Sequence, residues 1–137
     1  MKLAIVHDYL NQYGGAERVV EALHELYPDS PVYTSIYVPE HLPDTFSRMD
    51  IRTSFMQRLP GIERHFKRYF LLYPRAFSRF DLTGYDVILS SSSAYAKGVR
   101  VPEGALHVCY CYTPARFIWR YDQYMEQEES GRITKAV

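Results

Sequence analysis

The sequence predicts an α/β fold, a doubly wound and mostly parallel sheet of about five strands flanked by helices. Two observations carry that expectation. Runs of strand length alternate with stretches of helical period in the order strand, helix, strand, strand, helices, strand, strand, helix. The first run, Leu3-Ala4-Ile5-Val6, is apolar at every position, as a strand buried on both faces requires. With 137 residues, 47% of them apolar, the chain can bury one core and is not a disordered composition. Sixteen basic residues balance sixteen acidic ones. That balance lacks the basic excess of a general nucleic-acid binder, so no nucleic-acid partner is expected.

The elements follow in order. After the first strand and a polar loop from Asp8 to Gly14, Ala16, Val19, Val20, Leu23 and Leu26 recur at helical spacing, and Tyr27-Pro28 closes that helix. Glu17, Glu21 and Glu25 line its other side and read as a solvated face. Val32 to Tyr37 is β-branched and aromatic, a second strand. A proline-bearing loop spans 39–44, and Ile51 to Phe55 is a short third strand. Ile62, Phe66, Tyr69, Phe70 and Tyr73 form one helical stripe, which Pro74 interrupts before a second short helix reaching Phe80. Asp86 to Ser90 is a strand running into serines 90–93, and His107 to Tyr112 is another. Thr113-Pro114 then opens a last helix, since proline suits the first helical position. A periodic stretch begins at Arg132 and stops at Val137, so the natural chain is expected to continue.

No apolar run approaches the roughly 18 residues of a membrane span, and the apolar N-terminus is too short for a secretory signal. The expected setting is the cytoplasm. The charge is unevenly placed. Residues 58–80 hold six basic side chains against Glu63 alone, interleaved with aromatics. Arg64, Lys67 and Arg68 beside the aromatic stripe suit contact with an anionic membrane surface or lipid, and the stripe itself suits cover for the sheet. Cys109 and Cys111 lie two apart, a poor geometry for a disulfide and half of a zinc site at most. They read as core thiols, and no metal is expected.

In an open doubly wound sheet, ligands bind beyond the carboxyl ends of the strands where the strand order reverses. If the first strand is central, the loop from His7 to Gly15 and the serine-rich loop from Ser90 to Tyr95 face one crevice, with the turn from Tyr112 to Arg116 next to them. Gly14-Gly15 opens the first helix. Such a pair is either a plain turn or a seat for a phosphate or diphosphate at the helix N-terminus. Neither G-x-G-x-x-G nor a P-loop is present, which disfavours the nicotinamide and ATP-hydrolysing sites those motifs build. His7 reads as a base, a hydrogen-bond donor or a satisfied core histidine. Arg116 reads as a phosphate grip or a surface ion pair.

Three segments carry a family resemblance. His7-Asp8-Tyr9-Leu10 followed by Gly14-Gly15-Ala16-Glu17-Arg18-Val19, then Asp86-Val87-Ile88-Leu89-Ser90-Ser91-Ser92, then Cys109 through Trp119 resemble the amino-terminal domain of family 4 glycosyltransferases of the GT-B fold. The resemblance implies the acceptor-side, Rossmann-like half of a retaining hexosyltransferase. That half would face a carboxy-terminal domain in cis that holds a UDP- or GDP-hexose and lies outside these 137 residues. It implies no metal or resident cofactor. Gly14 and Gly15 would meet the donor diphosphate. His7, Asp8, Ser92, Tyr112 and Arg116 would face the sugar or a lipid-linked acceptor. Tyr112 replaces a histidine frequent in the family, so that histidine's role does not carry over. No catalytic residue is assigned, and the chain alone is expected to be inactive. The alternative is a non-enzymatic Rossmann-like module that binds an anion or a membrane surface.

Overall fold

The computed structural model describes residues 1–92 and 95–111. Five strands, β1 (Leu3–His7), β2 (Val32–Thr34), β3 (Ile51–Thr53), β4 (Val87–Ser92) and β5 (Leu106–Cys111), form one parallel sheet in the order β3-β2-β1-β4-β5. The helices are α1 (Gly15–Leu26), α2 (Ile62–His65) and α3 (Tyr73–Ser78). The chain runs outward from the central β1 to β3, then returns to the other side of β1 to lay down β4 and β5. This is the Rossmann-like arrangement, and its switch point lies between β1 and β4.

All five residues of β1 are buried. Side chains alternate across a strand, so Ala4 and Val6 face one layer while Leu3 and Ile5 face the other. On the first side they pack with Tyr33, Ile88 and the α3 residues Ala76 and Phe77. On the second they pack with Val20 of α1 and Phe46 of a 3-10 segment, Asp44–Arg48. The sheet is therefore covered on both sides of β1, which explains why that strand tolerates no polar residue before its carboxyl end. On the second side of β5, Leu106, Val108 and Tyr110 are exposed. Cys109, expected in the core, is exposed on this outer strand.

The region from Ile62 to Ser78 differs from the expected helix pair. Only Ile62–His65 and Tyr73–Ser78 are α-helical, and a 3-10 segment, Phe66–Leu72, joins them with non-helical backbone at Tyr69. Proline suits the first turn of a helix, and Pro74 opens α3 rather than interrupting a longer one. The tighter 3-10 winding breaks the 3.6-residue stripe. Ile62 and Tyr73 remain buried, Phe66 and Tyr69 are half-buried, and Phe70 and the neighbouring Leu71 turn outward, 55% and 77% exposed. The second strand is also shorter than expected. It ends at Thr34, and the chain continues through an isolated bridge between Leu10 and Tyr37 that Gln57 reinforces from its side-chain amide.

Candidate functional site: the crevice between the first and fourth strands

β1 ends in His7-Asp8, and this dipeptide is where the carboxyl edge of the sheet is tied together. The Asp8 carbonyl accepts from the Ser35 hydroxyl at 2.5 Å, and the Ser35 carbonyl accepts from the Ser54 hydroxyl at 2.9 Å. These bonds fasten the ends of β1, β2 and β3 side by side. On the other flank, Asp8 Oδ1 accepts from the Ser92 hydroxyl (3.0 Å) and from the backbone N–H groups of Tyr95 (2.9 Å) and Ala96 (2.7 Å). The Asp8 carboxylate thus closes the loop that leaves β4, accepting from backbone N–H groups that open the 3-10 turn Ala96–Gly98.

His7 points into the layer that holds α1. A carbonyl oxygen can only accept, so Nδ1 carries a hydrogen and donates it to the Ser91 carbonyl at 3.0 Å. Nε2 lies 2.8 Å from Glu17 Oε2. One hydrogen bond joins the two groups, which lie within ion-pair distance. Glu17 Oε1 accepts from the Gly14 N–H at 2.8 Å. Glu17 is the third residue of α1 and reaches back to the residue before the helix, the carboxylate half of a capping box.

The expectation of a solvated glutamate face on α1 is therefore overturned at its first member. Glu17 is buried, 4% exposed, because the buried imidazole of His7 and the Gly14 amide supply donors that replace water. Glu21, one turn on, is half-buried and accepts from the hydroxyls of Tyr13 and Thr45, while Glu25 is exposed. Glu17 stands ten residues from His7, across the loop 8–14, and no sequence signal pairs the two. Equal four-residue spacing along the helix concealed which of the three glutamates faces the strand end.

His7, Asp8 and Ser92 lie at neighbouring strand ends and all three are buried: Ser92 donates to Asp8, whereas His7 faces the other side and is bonded to Ser91 and Glu17. They form the floor of the crevice. Gly14 is half-buried and its amide is taken by Glu17, whereas Gly15 is exposed and a methyl group built there would meet nothing within 4 Å. Open space at the N-terminus of a twelve-residue helix leaves room for a ligand to approach the backbone. In the intervening loop Asn11 is buried. Its carbonyl oxygen accepts from His41, and its side-chain Oδ1 is enclosed without a hydrogen-bond partner among the described residues.

One wall is aromatic. Tyr95 stacks on Tyr73 at 4.7 Å, Tyr73 packs against Tyr9, and Tyr9 against Phe66. The Tyr73 hydroxyl donates to the Phe66 carbonyl at 2.7 Å. Burial, with Tyr9, Tyr95 and Asp8 nearby, pushes the Tyr73 phenol well above its ordinary range. Burial and then Asp8 push Tyr95 the same way. Both phenols are thus neutral at ordinary pH; Tyr73 is buried with its hydroxyl hydrogen given to Phe66, and Tyr95 is half-buried. Arg64, Lys67 and Arg68 are exposed on the segment that carries Phe66. Tyr112 and Arg116 lie outside the described residues. Among the described residues, no three His, Cys, Asp or Glu side chains gather as a metal site would need, and no helix is long and apolar enough to cross a membrane. Neither family models nor curated proteins nor solved structures give a match to this chain.

Proposed function

We propose that this chain is the acceptor-side part of a retaining glycosyltransferase, acting with a second domain that holds a UDP- or GDP-hexose. The observation that carries the reading is the crevice at the β1–β4 switch point, where Gly15 leaves the N-terminus of α1 open beside a buried floor of His7, Asp8 and Ser92. The half-buried rings of Tyr9, Phe66 and Tyr95 beside it suit the face of a sugar ring. In this reading Gly15 receives the donor diphosphate. His7 holds the crevice's shape through Ser91 and Glu17. Tyr112 and Arg116 are assigned to the acceptor on the strength of the sequence resemblance alone. Protein-observed NMR of the 137-residue chain with UDP-glucose, GDP-mannose and oligosaccharides tests it. Shifts at residues 8–17 that vanish in Gly15→Ala are expected, with no sugar transfer by the chain alone. Transfer by the isolated chain, or ligand shifts that ignore Gly15→Ala, contradict the reading.

The acceptor is proposed to be lipid-linked, with this domain resting on the cytoplasmic face of a membrane. Support comes from Phe70 and Leu71, exposed next to Arg64, Lys67 and Arg68. Apolar tips flanked by cations are the composition that an anionic bilayer surface attracts. Replacing the three cations is expected to abolish co-sedimentation with phosphatidylglycerol vesicles. If vesicles bind and no sugar ligand does, the chain is better read as a non-enzymatic membrane-surface module.

A further inference from the structure

The chain enters β4 and β5 through two turns that each place a glycine in the left-handed region, Gly84 (φ +96°) and Gly104 (φ +85°). Beside these entries, and so away from the carboxyl ends that build the crevice, lies a cleft of about 1050 Å³. Arg75 and Arg79 reach it from the end of α3, and Arg100 from the connection into β5. All three are exposed, and none has a carboxylate within ion-pair distance among the described residues. The cleft also holds the Asp81 carboxylate, but this is engaged by Thr83, whose N–H donates to Oδ1 at 3.0 Å. Hydrogen bonds from the Thr83 side chain and backbone hold the Asp81 carboxyl below its ordinary range, so it stays ionised and offsets one of the three arginine charges, leaving the lining net positive. The Arg79 guanidinium is seated over the Phe55 ring, 5.6 Å from its centre.

Like charges one helical turn apart repel, and Arg100 adds a third to the pair. The guanidinium fork matches phosphate oxygens two at a time, which an ammonium does not. The volume is that of a small-molecule site and exceeds a single phosphate. We propose that this cleft binds a phosphorylated ligand, at a site separate from the β1–β4 crevice and independent of the glycosyl-transfer reading.

The test is an NMR titration of the 137-residue chain with inorganic pyrophosphate. Shifts at residues 78–83 and 100–102 are expected, with affinity falling about tenfold or more in Arg75→Gln/Arg100→Gln. Arg100→Lys, which keeps the charge and loses the fork, should fall between. These side chains are exposed, and unchanged β1 and β4 resonances will show that the variants fold. A second arm uses phosphatidic acid vesicles. Binding lost in Arg75→Gln/Arg100→Gln but kept when Arg64, Lys67 and Arg68 are replaced assigns the phosphate to a lipid headgroup. Pyrophosphate binding without such vesicle binding assigns it to a soluble ligand. No shifts in the cleft together with vesicle binding indifferent to Arg75 and Arg100, or pyrophosphate shifts confined to residues 8–17, overturn the proposal.

Discussion

Replacing Glu17 with alanine removes two hydrogen bonds at once, and the structure sets the size of the penalty. The His7–Glu17 pair is almost wholly enclosed, with side-chain exposures of 3% and 5%. Truncating one partner of such a pair leaves the other buried and unpaired, at a cost of about 3–5 kcal/mol. The Gly14 N–H loses its acceptor as well. Glutamine at the same position keeps both contacts. Its carbonyl accepts from Gly14, and its amide donates to His7 Nε2, which accepts because Nδ1 already carries the hydrogen given to Ser91. What glutamine forfeits is the charge, about 1–2 kcal/mol from weaker hydrogen bonds and the lost carboxylate at the helix N-terminus.

The assay is urea unfolding followed by far-ultraviolet circular dichroism, with thermal melts alongside. At about 2.1 cal/mol/K per residue, a chain of 137 residues shifts its melting temperature by roughly 3–4 °C per kcal/mol. Glu17→Ala is therefore expected to melt roughly 10–17 °C lower and Glu17→Gln roughly 3–7 °C lower. A double-mutant cycle with His7→Ala should return a coupling of about 1.5 kcal/mol or more. Equal losses in the alanine and glutamine variants, or a coupling near zero, would show that the pair adds no specific stability, and the account of the crevice floor would fail with it.

Three further outcomes are expected. Gly15→Ala should leave stability unchanged or raise it by up to about 1 kcal/mol, since alanine is the better helix former and meets nothing there; a loss above that size in the same urea assay would mean that the position is crowded. Asp8→Ala should strip the Tyr95 and Ala96 amides of their acceptor, costing about 2–4 kcal/mol; hydrogen exchange should speed up at those two amides beyond the global change, and uniform acceleration would contradict the clamp. Burial lowers the His107 pKa below its ordinary value, so the unfolded chain takes up the proton first as the pH falls. The stability this histidine contributes is therefore present above the unfolded value near 6.5 and is lost below it. His107→Gln should flatten the fall in urea midpoint between pH 7.5 and 5.5, and an unaltered slope would refute the assignment.

The sheet was legible because hydrophobic burial writes a two-sided pattern. Leu3 to Val6 read as a buried strand, and the switch between β1 and β4 followed only on the condition, met in the structure, that this strand is central. The region 62–78 was less legible. Ile62 and Tyr73 lie eleven residues apart, and both an unbroken helix and a 3-10 segment between two short helices bury them. Local spacing does not decide between those windings, whereas the requirement that Phe66 and Tyr73 both meet Tyr9 does. Cys109 was misplaced for a related reason. An apolar alternating strand such as β5 looks alike whether its faces are covered or open, and that depends on the layers above it.

The floor of the crevice shows why the strand-end histidine and aspartate had to be adjacent. Successive residues leaving a strand point to opposite faces. His7 takes the α1 face, and its imidazole reaches Glu17 across the helix N-terminus. Asp8 follows at once and fastens the loop after β4 on its other side. A single peptide step thereby controls both loops that border the switch point. Exchanging the two would put a carboxylate beside Glu17, two like charges in a buried place, and leave the Tyr95 and Ala96 amides facing an imidazole with one lone pair at most to offer. A His7→Asp/Asp8→His double variant preserves composition and charge. It should nonetheless be less stable than either single alanine variant, in the same urea assay. Near-wild-type stability of the swapped chain would mean that the order of these residues is indifferent, and that the crevice is not organised by them.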